Sequence, residues 1–92
     1  MCRSIKPLFN FAPPATREDI RAAALQYVRK IAGTRKPSKQ NTAAFDAAVE
    51  EIFQSSRRLL EGLVATTPPR DRARFESLKQ LRYKKAEARG AR

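Results

Sequence analysis

Between Thr16 and Leu63 the apolar residues repeat twice at helical spacing, and a short basic loop bearing a proline separates the two runs. No other feature limits the fold so strongly. In the first run Ile20, Ala24, Tyr27, Val28 and Ile31 form the stripe of a helix with one buried face. Thr16 supplies an N-cap, and Asp19 three residues on approximates a capping box. Glu18 and Asp19 also suit the positive end of the helix dipole. Gly33 is the natural stop, because glycine takes the left-handed conformation without penalty. In the second run Phe45, Val49, Ile52, Phe53, Leu59, Leu60 and Leu63 share a face. Ser38 or Asn41 is its cap, Arg57 and Glu61 form an i,i+4 pair, and Gly62 or the Pro68-Pro69 pair ends it. The helices have about 17 and 21 residues, or roughly 25 and 32 Å. Joined by so short a loop, they are expected to form an antiparallel hairpin.

The flanks differ from this centre and from each other. Residues 1–15 carry Ile5, Leu8, Phe9 and Phe11 among Pro7, Pro13 and Pro14. The prolines forbid a long helix and bias their neighbours to extended backbone. An extended arm laid across the helices would put the four apolar side chains to use; a floppy leader is the alternative. Residues 67–92 form the third unit. From Arg70 onward nine residues are basic and three acidic, a net of +6. Thr67 is expected to cap a third helix entered through Pro68, with Phe75 and Leu78 available for packing and Leu81 and Tyr83 on other faces. The fold class is therefore all-α: an arm (1–15), a helical hairpin (16–66) and a basic C-terminal helix or tail (67–92). A hairpin of this size is an undersized core, so a copy of the chain or a larger partner is expected to complete it.

Charge narrows the partners. Among 92 residues, Lys and Arg number 20 and Asp and Glu 9, a net of +11. Such an excess favours phosphate-bearing partners, an anionic membrane surface or an acidic protein. No run approaches the roughly 20 apolar residues of a transmembrane helix, and Arg3, Lys6 and the early prolines break any signal-peptide core. Cys2 is the single cysteine, so no internal disulfide forms, which suits a reducing cytoplasm. Histidine is absent, and with it the commonest general base and metal ligand.

Two basic clusters are the candidate binding surfaces. Arg29, Lys30, Arg35, Lys36 and Lys39 fall in one stretch without an acid, and it opens into the start of the second helix. Free N–H groups there, with Ser38 and Asn41, could hold a phosphate; a solvated turn with an ordinary cap is the plainer reading. The second cluster is Arg70, Arg72, Arg74, Lys79, Arg82, Lys84 and Lys85, interleaved with Phe75 and Tyr83 as in nucleic-acid-contacting helices. Its plainer reading is a solubilising tail. A membrane-surface helix fits less well, because the apolar face is thin.

Cys2 beside Arg3 is a candidate reactive thiol, since a neighbouring cation lowers a thiol pKa. No histidine can serve it as a base, and a lone cysteine makes no zinc site; an inert thiol is the plainer reading. Asp46 and Glu50, one turn apart, gain no third ligand, so a solvated face is expected rather than a metal site. No cofactor is called for and no enzyme is expected; a reaction at the Cys2 thiolate is the one enzymatic alternative.

Several strings resemble a small bacterial family of unknown function. They are Met1-Cys2-Arg3-Ser4-Ile5-Lys6, the Phe9–Pro14 stretch and Ala23-Ala24-Leu25-Gln26-Tyr27-Val28-Arg29-Lys30. Lys36-Pro37-Ser38, Asn41, Phe45, Ala48-Val49, Leu59-Leu60 and Thr67-Pro68-Pro69-Arg70-Asp71-Arg72 continue the likeness. It extends over about residues 1–72, and it implies kinship and a bacterial cytoplasmic setting without implying an activity. It also draws Cys2 and Arg3 into the family's pattern.

From the residues, the expected function is sequence-independent binding of structured RNA, as in a ribonucleoprotein such as the ribosome. The alternative is a protein-interaction module, either a homodimer or an adaptor for an acidic protein.

Overall fold

Capping sets the first helix where the sequence expects it. In the computed structural model, which describes residues 5–90 with side chains as far as residue 85, α1 runs Arg17–Ala32. The Thr16 hydroxyl accepts from the Asp19 N–H at 3.2 Å, and the Asp19 carboxylate accepts from the Thr16 N–H at 2.9 Å. Both halves of the capping box are thus made. Gly33 closes the helix at φ 72°, its N–H donating to the Arg29 carbonyl at 2.9 Å.

The second helix begins less firmly. A 3₁₀ turn, Lys39–Asn41, leads into α2, Thr42–Gly62. Asn41 occupies the N-cap, but its side chain makes no capping bond; its amide donates to the Ser38 hydroxyl at 3.2 Å. Gly62 is the last helical residue, the earlier of the two expected ends.

Ile20, Ala24 and Val28 of α1 pack against Phe45, Val49 and Phe53 of α2. Arg21 ties the early part of α1 to the middle of α2. Its guanidinium lies 2.9 Å from the Glu50 carboxylate and 4.1 Å from the centre of the Phe53 ring. Leu8, Leu25, Ala48, Ile52 and Leu60 pack around this centre. The buried seam is narrower than the apolar stripes. Tyr27 and Ile31 remain 47% and 71% exposed, and Leu59 and Leu63 are exposed too. Two helices bury only the sides that face each other, so a stripe wider than that contact keeps its edges in solvent.

The arm is more structured than an extended leader. Phe11–Ala12 (β1) pairs in parallel with Arg70–Asp71 (β2), setting Phe11 beside Arg70 and Ala12 beside Asp71. The fold is therefore mostly helical with a small parallel sheet, and all-α describes it only coarsely. Leu8 reaches the helix pair as expected. Phe11, the arm's buried residue at 4% exposure, does not join that cluster; it packs on Phe75 of the third helix.

That helix, α3, runs Arg72–Gly90. Its cap is Asp71, whose carboxylate accepts from the Arg74 N–H at 2.8 Å. Thr67, the expected cap, instead accepts from the Asn10 amide. Pro68 and Pro69 cannot donate to a helix ladder, and strand pairing holds the next two residues extended, so the helix waits until Arg72. The Cα positions span 43 × 41 × 16 Å with a radius of gyration of 16.1 Å, against roughly 12 Å for a compact chain of this length. The excess reflects α3, which does not pack along α1 or α2.

Candidate nucleic-acid interface

A latch fixes where α3 departs. Asn10 adopts the left-handed φ of 62° that asparagine tolerates better than most residues. The turn aims its amide at the Thr67 carbonyl (3.1 Å), the Thr67 hydroxyl (3.3 Å) and the Pro68 carbonyl (3.3 Å). The Asn10 carbonyl accepts from the Arg70 N–H at 2.9 Å. Phe11 then meets the Phe75 ring edge to face, centroids 5.1 Å apart at 74°. Arg70 and Arg72 both stand over the Phe11 ring, at 4.3 and 3.6 Å from its centre, close enough for cation–π attraction. Arg70 also donates to the Phe9 carbonyl at 3.4 Å, and Arg72 to the Pro7 carbonyl. Arg72 pairs with Glu76 at 3.1 Å. Of the basic residues singled out in this segment, these two hold the arm rather than facing solvent freely.

Beyond Phe75 the helix changes character. Arg74, Arg82, Lys84 and Lys85 are exposed and Lys79 is half-buried. Among the described residues none of the five has an acidic partner within ion-pair distance; the pairs there are Arg21–Glu50, Arg57–Glu61 and Arg72–Glu76. Lys79 sits 5.8 Å from the Tyr83 ring centre. Leu78 and Leu81 are 46% and 53% exposed. The helix rises about 1.5 Å per residue, so these cations form a rod of positive charge over several turns.

The loop cluster is a separate surface. The structure places it where α1 hands over to α2, while α3 starts from the latch beside the arm. Arg29 donates from Nε to the Arg35 carbonyl at 3.0 Å, which folds the loop back on α1. The Thr34 hydroxyl donates to the Lys36 carbonyl at 2.9 Å, and the Thr42 hydroxyl to the Ser38 carbonyl at 3.0 Å. With Asn41 bound to Ser38, the short polar groups expected to receive a phosphate make bonds within the loop. Lys30, Arg35, Lys36 and Lys39 are exposed. The loop therefore offers charge more than a shaped set of donors.

Acidic groups take structural parts. The hydrogen bond from the Thr16 N–H holds the Asp19 carboxyl below its ordinary value, and Lys6 and Arg72 add to the effect. Glu50 is held low as well, first by its hydrogen bond from Gln54 and then by Arg21. The Glu50 carboxylate, one turn from Asp46, accepts from Arg21 and Gln54, and among the described residues no three His, Cys, Asp or Glu side chains cluster. Cys2 lies outside the described residues. No described helix is long and apolar enough to cross a membrane.

Sequence reasoning missed the latch. Its signal was present in Asn10-Phe11-Ala12-Pro13-Pro14 and Thr67-Pro68-Pro69-Arg70-Asp71-Arg72, two unusual strings far apart. Only their pairing in space shows that they are one feature.

A family model matches residues 1–77, the greater part of the chain. The chain belongs to the family described as "Uncharacterized conserved protein (DUF2277)". The DUF2277 match takes in the arm, both helices of the pair, the latch and the first turn of α3. It stops short of Arg82, Lys84 and Lys85. No curated protein and no solved structure matches the chain.

Proposed function

We propose that this protein binds structured RNA through α3, without strong sequence preference, as a component or associated factor of a ribonucleoprotein such as the ribosome. One observation carries the reading. The helix leaves the body of the molecule and carries five cations that pair with no acid among the described residues. A bare rod of this kind suits a phosphate-lined groove, where each phosphate contact releases a counterion and contributes affinity regardless of base. Double-stranded RNA is usually bound by shape and through its phosphates and 2′-hydroxyls, and a cationic helix suits that mode.

The rest of the fold supports this role. In this reading α1 and α2 form an antiparallel hairpin that serves as a mount, and the latch sets the angle at which α3 projects. Arg70 and Arg72 contribute to the mount. Arg74, Lys79, Arg82, Lys84 and Lys85 make the contacts; Arg74 lies within the matched residues 1–77 and the other four beyond them.

The test is a charge reversal. Lys84→Glu with Lys85→Glu should weaken binding to a double-stranded RNA at least tenfold, equally for unrelated sequences, and should release the protein from ribosomal subunits on sedimentation. Binding that survives the double reversal would refute the assignment to α3.

A further inference from the structure

We propose that the uncovered face of the α1–α2 pair is a docking groove for an acidic amphipathic helix of a partner protein. This does not rest on RNA binding, which concerns α3. The groove is a cavity of about 380 Å³ lined by Tyr27 and Ile31 of α1, Pro37 of the loop, and Ala44, Ala48 and Ile52 of α2. Its floor is the buried seam itself, reached through Val28 and Phe45. Ile31 stands 71% exposed and Tyr27 47%. Side chains of that size gain from being taken out of water. Ala44 and Ala48 are one turn apart on the facing wall. Their small side chains let a third backbone approach to the usual 8–10 Å between packed helices (roughly).

Charge decides what fills the groove. Lys30 lies between Tyr27 and Ile31 in sequence, and Arg35 and Lys36 lead into Pro37. All three are exposed and none pairs with an acid. Glu51 adjoins Ile52 at the other end, so the acids of the partner belong at the loop end. A second copy is a poor occupant, because each chain carries a net +11 and would bring its own cations to the groove. The chain's own α3 is equally basic. An apolar stripe at i, i+3, i+4 and i+7, with glutamates or aspartates beside it, suits both the apolar floor and the exposed cations that adjoin its lining residues in sequence.

A fluorescein-labelled synthetic helix tests this on the full chain. The probe has leucines at i, i+3, i+4 and i+7 with flanking glutamates, and its control replaces the glutamates by lysines. The glutamate probe is expected to bind saturably at micromolar concentration, at least tenfold more tightly than the control. Ile31→Glu, Ala44→Gln and the pair Lys30→Glu with Lys36→Glu should each weaken it tenfold or more. These positions are exposed, so unchanged circular dichroism should confirm the fold, and Lys84→Glu with Lys85→Glu should leave probe binding as it was. No saturable binding overturns the proposal. So does binding that the α3 variant abolishes and the groove variants leave intact. Sedimentation equilibrium showing a dimer that Ile31→Glu dissociates also overturns it, by making a second copy the occupant.

Discussion

Phe11 and Phe75 meet edge to face with ring centroids 5.1 Å apart, one from the N-terminal arm and one from the first turn of α3. This contact joins the arm to the start of α3 and fixes the exit of the basic helix. Phe11 is 4% exposed, the buried member of the pair. Phe11→Ala should cost about 3 kcal/mol, the low end for a buried phenylalanine, because one side of the site is free to relax. Phe75→Ala should cost less, and a double-mutant cycle should show coupling of about 1 kcal/mol. Urea denaturation measures all three. Hydrogen exchange should show faster opening over residues 70–76 in Phe11→Ala, with α1 and α2 less affected.

The capping box offers a local test. Thr16→Ala removes the hydroxyl that accepts from Asp19 N–H and should cost about 1 kcal/mol. Thr16→Ser keeps that oxygen and should cost much less. Equal losses in the two variants would show that the threonine methyl, not the cap, matters there.

At Gly33 the backbone sits at φ 72°, and a β-carbon added there would meet nothing within 4 Å. Any cost of Gly33→Ala is then conformational. It should come to about 1 kcal/mol in a thermal melt, with no change in the core.

Acid should weaken the fold for a stated reason. Asp19 and Glu50 have folded pKa values below their ordinary 3.8 and 4.5. The unfolded chain therefore binds protons more readily, and stability falls as pH drops. The contribution is whole above those ordinary values and is lost as pH falls through the lower folded ones. Melting temperature should hold steady from neutral pH to about 5 and then decline. Because Glu50 is exposed and Asp19 only half-buried, the decline should be shallow. Asp19→Asn should flatten part of it.

Much of this architecture could be read from the residues, and the exceptions have physical causes. Thr16, Asp19 and Gly33 bound α1 because caps and stops act locally, on neighbours in sequence. The helix pair followed from the spacing of apolar residues. Tyr27 and Ile31 lie on the expected buried stripe of α1 and are exposed, because periodicity tells which side of a helix is apolar and not how much of it a neighbour covers. The start of α3 lies at Arg72 rather than just after Thr67 for a different reason. The competing claim on Thr67 comes from Asn10, and the claim on Arg70 and Arg72 from Phe11, both remote in the chain. Among candidate site residues, the cations of α3 and the loop were legible as charge. Which of them are occupied was not, since that depends on contacts such as Arg72 over Phe11.

Salt dependence tests the RNA-binding claim most directly. Binding of the full chain to a double-stranded RNA is measured from 50 to 200 mM salt. With about four or five phosphate contacts from α3, affinity should fall by roughly two to three decades over that range. The slope should flatten by about two contacts in the Lys84→Glu, Lys85→Glu variant. An affinity that stays level across the range, or no binding even at 50 mM, would contradict the account.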